Sequence, residues 1–229
     1  MKNSLDVIYE DNHIIIVNKK TGDIVQGDKT GDKPMSEDVS DFLSEKYNKP
    51  GKAFVGVVHR LDRPVTGVVL FAKTSKALTR MNEIVKERKI EKTYWAIVLQ
   101  SPPKNEDRLV NYLMKNEKLN KSYIVQETQS GATRAELGYR LIASSDKYHL
   151  LEVELFTGRH HQIRVQLSNI GCIIKGDLKY GAPRSNPDGS ICLHARSLNF
   201  EHPVTHLNIH ATAKVPNENL WHFFEQILQ

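Results

Sequence analysis

Apolar and polar positions along this chain follow two periods, and the switches between them mark the elements. Val7-Ile8-Tyr9, the Asp11-Asn12 turn and Ile14 to Val17 predict a short hairpin. Gly22 to Pro34 is polar and glycine-bearing, which predicts a loop. From Ser36, a predicted cap, the period lengthens. Glu37 and Asp38 suit the first turn of a helix, and Val39, Phe42 and Leu43 form its apolar face before Pro50-Gly51 ends it. Phe54 to Val58 predicts a strand leading into a sharp change of pattern. There the polar cluster His59, Arg60, Asp62 and Arg63 meets a Pro64–Gly67 corner and then the unbroken apolar run Val68 to Ala72. A short apolar run bounded by a turn signal predicts a strand buried on both faces.

Thr74 or Ser75 then predicts the cap of a helix carrying Ala77, Leu78, Met81, Ile84 and Val85 at helical spacing. Lys92 to Leu99, rich in aromatic and β-branched residues, predicts a strand that Pro102-Pro103 breaks. Residues 104–135 are polar and predict short strands with loops, followed by strands at Tyr139 to Ala143 and Leu150 to Phe156. Thr157-Gly158 turns the chain into HHQIRVQLSNIG, where Ile163, Leu167 and Ile170 share a helical face and Gly171 is the stop. Gly176 to Gly189 predicts a loop, Ile191 to Phe200 and Leu207 to Ala211 two strands. Pro216-Asn217 opens a last amphipathic helix with Leu220, Trp221, Phe224, Ile227 and Leu228. With no repeat and no linker, the expectation is one α+β domain over 1–229, with a central mixed, mostly antiparallel sheet flanked by helices and loops.

Composition narrows this picture only a little. A chain of 229 residues with 39% hydrophobic content can bury a sizeable core, and a net charge of +5 leans weakly toward a polyanionic partner. Cys172 and Cys192 are the two cysteines, so no disulfide framework is expected. The start MKNSLDVIYED lacks the apolar core of a leader, and no apolar run approaches membrane-spanning length, so a cytoplasmic protein is expected.

Candidate chemistry centres on Asp62. A carboxylate at the lip of a core strand is costly unless paired and used. Between Arg60 and Arg63 it reads equally as a surface ion pair or as a carboxylate held ionised for nucleophilic or base chemistry. The donor-dense run Gly158 to Arg164 lies at a strand-to-helix junction, where basic residues oppose the helix dipole unless an anion answers them. Six of the ten histidines fall at 160, 161, 194, 202, 206 and 210, without HExxH or another familiar ligand spacing, so no metal site is expected. The absence of GxGxxG and GxxxxGK[ST] disfavours nucleotide-dependent chemistry. Tyr94 on its own reads as a core tyrosine with its hydroxyl at the edge.

The blocks HRLD–RPVTGVVLFAK, EKTYWAIV, TGRHHQIRVQL, GDLKYG and LHARSLNFEHP, in that order, resemble the pseudouridine synthases of the RluA family. The chain has Val65-Thr66-Gly67 where the family usually has Thr-Ser-Gly, and Gly-Arg-His-His-Gln where it usually has Gly-Arg-Thr-His-Gln. The family's frequent N-terminal S4 domain is not expected, because the catalytic pattern begins near residue 5. The resemblance implies that Asp62 is the catalytic aspartate, that Tyr94 stacks on a flipped uracil and helps remove its C5 proton, and that Arg164 pairs with Asp62. It further implies that Ile163 packs beside the base and that Arg60 enters the RNA stack. His59, Arg63 and Gln162 are assigned to substrate contact.

Converting uridine to pseudouridine breaks N1–C1′ and forms C5–C1′ with no redox or phosphoryl step, so no cofactor is expected. The route of Asp62, attack on the nucleoside or removal of a sugar proton, stays open. The expected partner is structured RNA, a ribosomal or transfer RNA stem-loop, with Lys115, Lys118, Lys121 and Arg134 as candidate backbone contacts and a monomer as the default. The alternatives are an RNA-binding or remodelling module with an unused pocket and, last, a metal-dependent hydrolase.

Overall fold

The computed structural model describes residues 5–28 and 30–228; Met1 to Ser4 at the start of the predicted leaderless segment, Lys29 in the polar loop and Gln229 lie outside them. The described chain falls into two compact units, residues 1–90 with 195–214 and residues 91–194 with 215–229.

The first unit is built around the apolar run. Strand β1 (Val7–Glu10) pairs antiparallel with β2 (Ile14–Lys19), and β2 with β4 (Thr66–Ala72), Ile15 opposite Phe71 and Val17 opposite Val69. The two-residue β3 (Gly56–Val57) also lies on β4, so the predicted strand from Phe54 is shorter than its composition suggested; Phe54 is exposed. On the other side β4 neighbours β10 (Leu193–Glu201), which pairs with β11 (Asn208–Thr212).

Every residue of β4 is buried, as an uninterrupted apolar run requires. Its alternate side chains feed two cores: Val68, Leu70 and Ala72 pack with Ala77 and Met81 of α2 (Ser75–Lys86), and Val69 and Phe71 pack with Met35, Val39 and Leu43 of α1 (Met35–Lys46). Each valine, leucine, methionine or phenylalanine among them contributes about 1.5–3 kcal/mol. Thr74 caps α2 by accepting the Ala77 N–H at 3.1 Å. Helix α1 departs from expectation at its start, with Pro34 at the cap position and Ser36 inside the first turn, because Pro34 itself has the extended backbone a cap needs.

The second unit is an antiparallel sheet in the order β5 (Glu91–Val98), β9 (His149–Leu155), β8 (Thr133–Ser144), β6 (Glu106–Asn116), β7 (Lys121–Val125). Residues 104–135 hold the short strand expected of them in β7, but also a long one. β6 alone runs for 11 residues, its polar side chains alternating with Leu109, Leu113 and other apolar ones, and a four-residue turn returns it as β7. Helix α3 (Gln162–Asn169) and α4 (Asn219–Ile227) complete this unit, α4 burying Trp221 and Phe224. Gly171 follows α3 with φ +83°, the left-handed stop expected of it. Among the described residues no helix is long and apolar enough to cross a membrane.

Candidate active site

In the first unit the segment 59–65 connects β3 to β4. Asp62 is half-buried and its carbonyl accepts the Val65 N–H at 3.0 Å, which closes a turn; Arg60 beside it is exposed. His59 accepts the Leu70 N–H on Nε2 at 3.2 Å. Arg63 directs its guanidinium to Asp32 (2.7 Å), Asp28 (3.6 Å) and the Thr30 hydroxyl (2.8 Å), tying the turn to the polar loop. Gly67, at the start of β4, has φ +112°, and a β-carbon there would overlap the Ala195 carbonyl; only glycine fits.

The turn is gripped by a residue two positions beyond the predicted strand, where the observed β2 ends. Lys19, 1% exposed, sends its ammonium to the carbonyls of Lys20 (3.0 Å), Arg63 (3.0 Å) and Val65 (2.7 Å). Burial draws its pKa down to about 8, against the opposing pull of Asp23 and Asp62.

In the second unit Tyr94 sits on β5 opposite Val153 and is 7% exposed. Helix α3 is not the half-solvated helix its periodicity predicted. Gln162, Ile163, Arg164, Val165, Gln166 and Leu167 are all buried, so polar and apolar faces alike are inside. Each polar side chain accordingly has a protein partner. Gln162 accepts the Thr157 hydroxyl (2.8 Å) and the Arg159 N–H (3.0 Å), and donates to the Glu136 carbonyl (3.1 Å). Arg164 makes a two-pronged pair with Asp177, Nε to Oδ2 at 2.7 Å and Nη2 to Oδ1 at 2.8 Å, with Asp177 1% exposed. One anion that the basic helix start called for is thus the chain's own. Asp177 lies in GDLKYG, in a stretch that composition marked only as loop; the signal available was the need of a buried arginine for a carboxylate.

His161, the cap of α3, has a left-handed backbone (φ 53°) and packs against His160 with ring centroids 3.8 Å apart. Its Nδ1 lies 2.9 Å from the Tyr180 hydroxyl, which in turn accepts the Ser122 N–H from β7 at 2.9 Å. His160 lies 2.8 Å from the Ser122 hydroxyl through Nδ1, so the His-His pair joins the start of α3 to the β6–β7 hairpin. Burial, then the charges of Arg164, His160, Lys179 and Lys115, push the His161 pKa down to about 2, which makes it a neutral imidazole.

The candidate RNA-contacting cations are variously engaged. Arg134 and Arg108 pair with the buried Glu136, Lys115 with Glu117 at 2.7 Å, and Lys121 lies over the Tyr123 and Tyr180 rings.

Each unit thus holds its own part of the predicted set: the Asp62 turn in the first, Tyr94 and the Arg164–Asp177 pair in the second. A family model described as RNA pseudouridylate synthase matches residues 13–169, and the chain belongs to that family. It is 32% identical over 216 residues to an uncharacterized RNA pseudouridine synthase of Synechocystis sp., covering 93% of this chain and 66% of that protein. It is 31% identical over 230 residues to the ribosomal large subunit pseudouridine synthase D of Xylella fastidiosa, covering 93% of this chain and 67% of that one. The chain thus spans about two thirds of the length of these relatives. The fold matches the human RNA pseudouridylate synthase domain containing 4 with a TM-score of 0.78 at 22% identity, covering 97% of this chain and 92% of that one.

Proposed function

We propose that this protein isomerises uridine in structured RNA to pseudouridine, with Asp62 as the catalytic carboxylate and residues 1–229 working as one catalytic domain. In this reaction N1–C1′ breaks, the base turns, and C5–C1′ forms; the C5 proton goes to solvent and N1 takes one up. Nothing is oxidised or transferred to another molecule, so side chains suffice. Tyr94 stacks on the flipped uracil and assists loss of the C5 proton, Ile163 packs beside it, and Arg164 is the cation that pairs with Asp62. Arg60 fills the stack the uridine leaves; His59, Arg63 and Gln162 shape the substrate contact. Lys115, Lys118, Lys121 and Arg134 meet the RNA backbone, whose shape carries recognition.

The observation that best supports this reading is the buried fork of Arg164 on Asp177, 2.7 and 2.8 Å, on a helix whose first six residues are buried. A guanidinium fixed so firmly away from water suits a charge aimed at a carboxylate rather than a free surface arginine. The ribosomal large subunit names of two relatives, that of Xylella fastidiosa and the synthase C of Rickettsia bellii, favour ribosomal RNA as substrate. A transfer RNA stem-loop is the other target to test. The protein acts in the cytoplasm, as a monomer. Tritium release from RNA labelled at uridine C5 tests the reaction, and mapping pseudouridines in total RNA from cells with and without the gene identifies the site. No release from either RNA class, and no pseudouridine lost with the gene, would remove the assignment.

A further inference from the structure

The second unit holds a cavity of about 230 Å³ that the proposed reaction does not use. Much of its wall comes from the stretch between Gly176 and Gly189, which composition marked only as loop. Leu99, just past the end of β5, also lines it, five positions beyond Tyr94 and roughly 17 Å along the strand direction. Two cations, Lys175 and Arg184, face the same space, with Tyr148, Ser185 and Asn186.

Lys175 is fixed from both ends. Its N–H donates to the Ile97 carbonyl and its own carbonyl accepts the Cys192 N–H, each at 2.9 Å. Its ammonium donates to Asn186 Oδ1 at 2.5 Å. Asn186 is 3% exposed, and its amide nitrogen donates to the Ser190 hydroxyl at 3.1 Å, which turns the amide oxygen toward Lys175. A buried amide thus sets the direction of one half-buried lysine.

The protein leaves these two charges without a carboxylate. Among the described residues neither Lys175 nor Arg184 forms an ion pair, whereas Arg63, Arg108, Arg134, Arg140 and Arg164 each rest on one. Asp188 and Glu218 feel the charge of Lys175 from beyond ion-pair distance. An ammonium has three hydrogens, of which Asn186 takes one, and a guanidinium has five. A fork and a point charge on one small cavity suit a tetrahedral oxyanion. The volume is below the roughly 300–1,000 Å³ of pockets that enclose a drug-sized ligand, so it fits a phosphate rather than a whole nucleotide. We propose that this cavity holds a backbone phosphate of the RNA, as a second anchor set back from Tyr94 along β5. The proposal rests on the reading of the protein as one that acts on structured RNA.

The test measures affinity for a large-subunit ribosomal RNA transcript across a salt series, for wild type and for the double variant Lys175→Met with Arg184→Ala. At about 0.1 M salt the double variant is expected to bind at least about threefold more weakly, and its plot of log affinity against log salt to be shallower by about 0.7–0.9, the loss of one phosphate contact. Its single-turnover rate at saturating RNA is expected to stay within about twofold of wild type, because the change is in binding alone. Wild-type affinity and slope in a folded double variant would overturn the proposal. If the double variant does not fold, the Asn186 side-chain amide signal of the wild type decides: a shift on adding a uridine-bearing RNA stem-loop supports the site, and no shift at saturation overturns it. Uridine monophosphate separates the two sources of a phosphate. A shift of that signal that saturates with the free nucleotide, with RNA binding undiminished in its presence, assigns the cavity to a nucleotide and overturns the RNA anchor. A wild type that binds no RNA removes both this proposal and the reading beneath it. Full tritium release beside RNA binding untouched in the double variant removes this proposal alone.

Discussion

The turn at Asp62 and the helix at Arg164 carry the two charges on which the proposed chemistry depends, and they are held in different ways. Asp62 is held through the main chain: a buried ammonium grips the carbonyls that follow it, and a glycine with no room for a β-carbon starts the strand behind it. Arg164 is held through side chains: a carboxylate forks its guanidinium, and a chain of His161, Tyr180 and Ser122 fixes the start of its helix. A main-chain grip leaves the side chain it positions half-exposed and able to meet a substrate. A side-chain grip immobilises the group itself, which suits a charge that acts by staying in place. The two arrangements respond differently to substitution and to pH, which gives ways to separate them.

The largest effect is expected at Gly67. Gly67→Ala forces a β-carbon onto the Ala195 carbonyl at a left-handed φ, a clash with backbone that no side-chain movement relieves. A loss of at least about 4 kcal/mol is expected, enough to prevent folding of many domains, read by soluble yield and urea unfolding. A well-folded Gly67→Ala would show that the backbone behind Asp62 is not held as described.

Next is the fork. Asp177→Asn removes the carboxylate from a buried arginine and is expected to cost about 3–5 kcal/mol. The double variant Arg164→Met with Asp177→Leu is expected to regain most of that, because a buried pair replaced by apolar groups often loses little stability. Chemical denaturation of Arg164→Met, Asp177→Leu and the double variant measures the coupling, and additivity would deny the pair.

Smaller effects divide the units by pH. His161 stays neutral in the fold with a pKa of about 2, whereas the unfolded imidazole takes up a proton below about 6.5. Stability therefore falls as pH drops below 6.5, by up to about 1.4 kcal/mol per pH unit for this one proton. His161→Gln is expected to flatten that slope between pH 6 and 5 in thermal melts.

The first unit answers lower down. Burial works to raise the pKa of Glu10, but hydrogen bonds from Lys46, Lys73 and Tyr47 outweigh it and bring it to about 2. Its lowered pKa gives stability that is present above about 4.5 and lost as pH falls toward 2. Glu10→Gln is expected to cost about 1–2 kcal/mol at pH 7 and nothing at pH 2, with the difference fading between. A pH-independent loss would mean that packing, not charge, binds β1 to Lys73.

Much of the first region could be read from the residues. The run Val68 to Ala72 declared a strand with two buried faces, and it has two cores, because apolar side chains on both faces leave no other solution. The turn, the carboxylate at the lip of the strand and the cap at Thr74 were legible for the same local reasons. Lys19 was not, because a lysine at the end of a strand normally snorkels to water, and only the fold shows that carbonyls surround it. The second region was less legible. Periodicity sorts residues by face, and α3 buries its first six residues on every face, so the shared face of Ile163, Leu167 and Ile170 gave no sign that Gln162, Arg164 and Gln166 are buried too. Asp177 stands thirteen positions beyond Arg164 across a loop, a distance at which pattern carries no information. The length of β6 was hidden for a related reason: its polar residues made an edge hairpin look like loop.

The measurement that reaches the centre of the account is the single-turnover rate of Asp62→Asn at saturating RNA, with RNA affinity measured alongside. The substitution keeps the size of the side chain and the main-chain carbonyl at position 62 that closes the turn, and exchanges the carboxylate for an uncharged amide. The account predicts tritium release at least about a thousandfold slower, roughly 4 kcal/mol in the barrier, with affinity nearly unchanged. Release within about tenfold of wild type, a cost of at most roughly 1.4 kcal/mol, would contradict it.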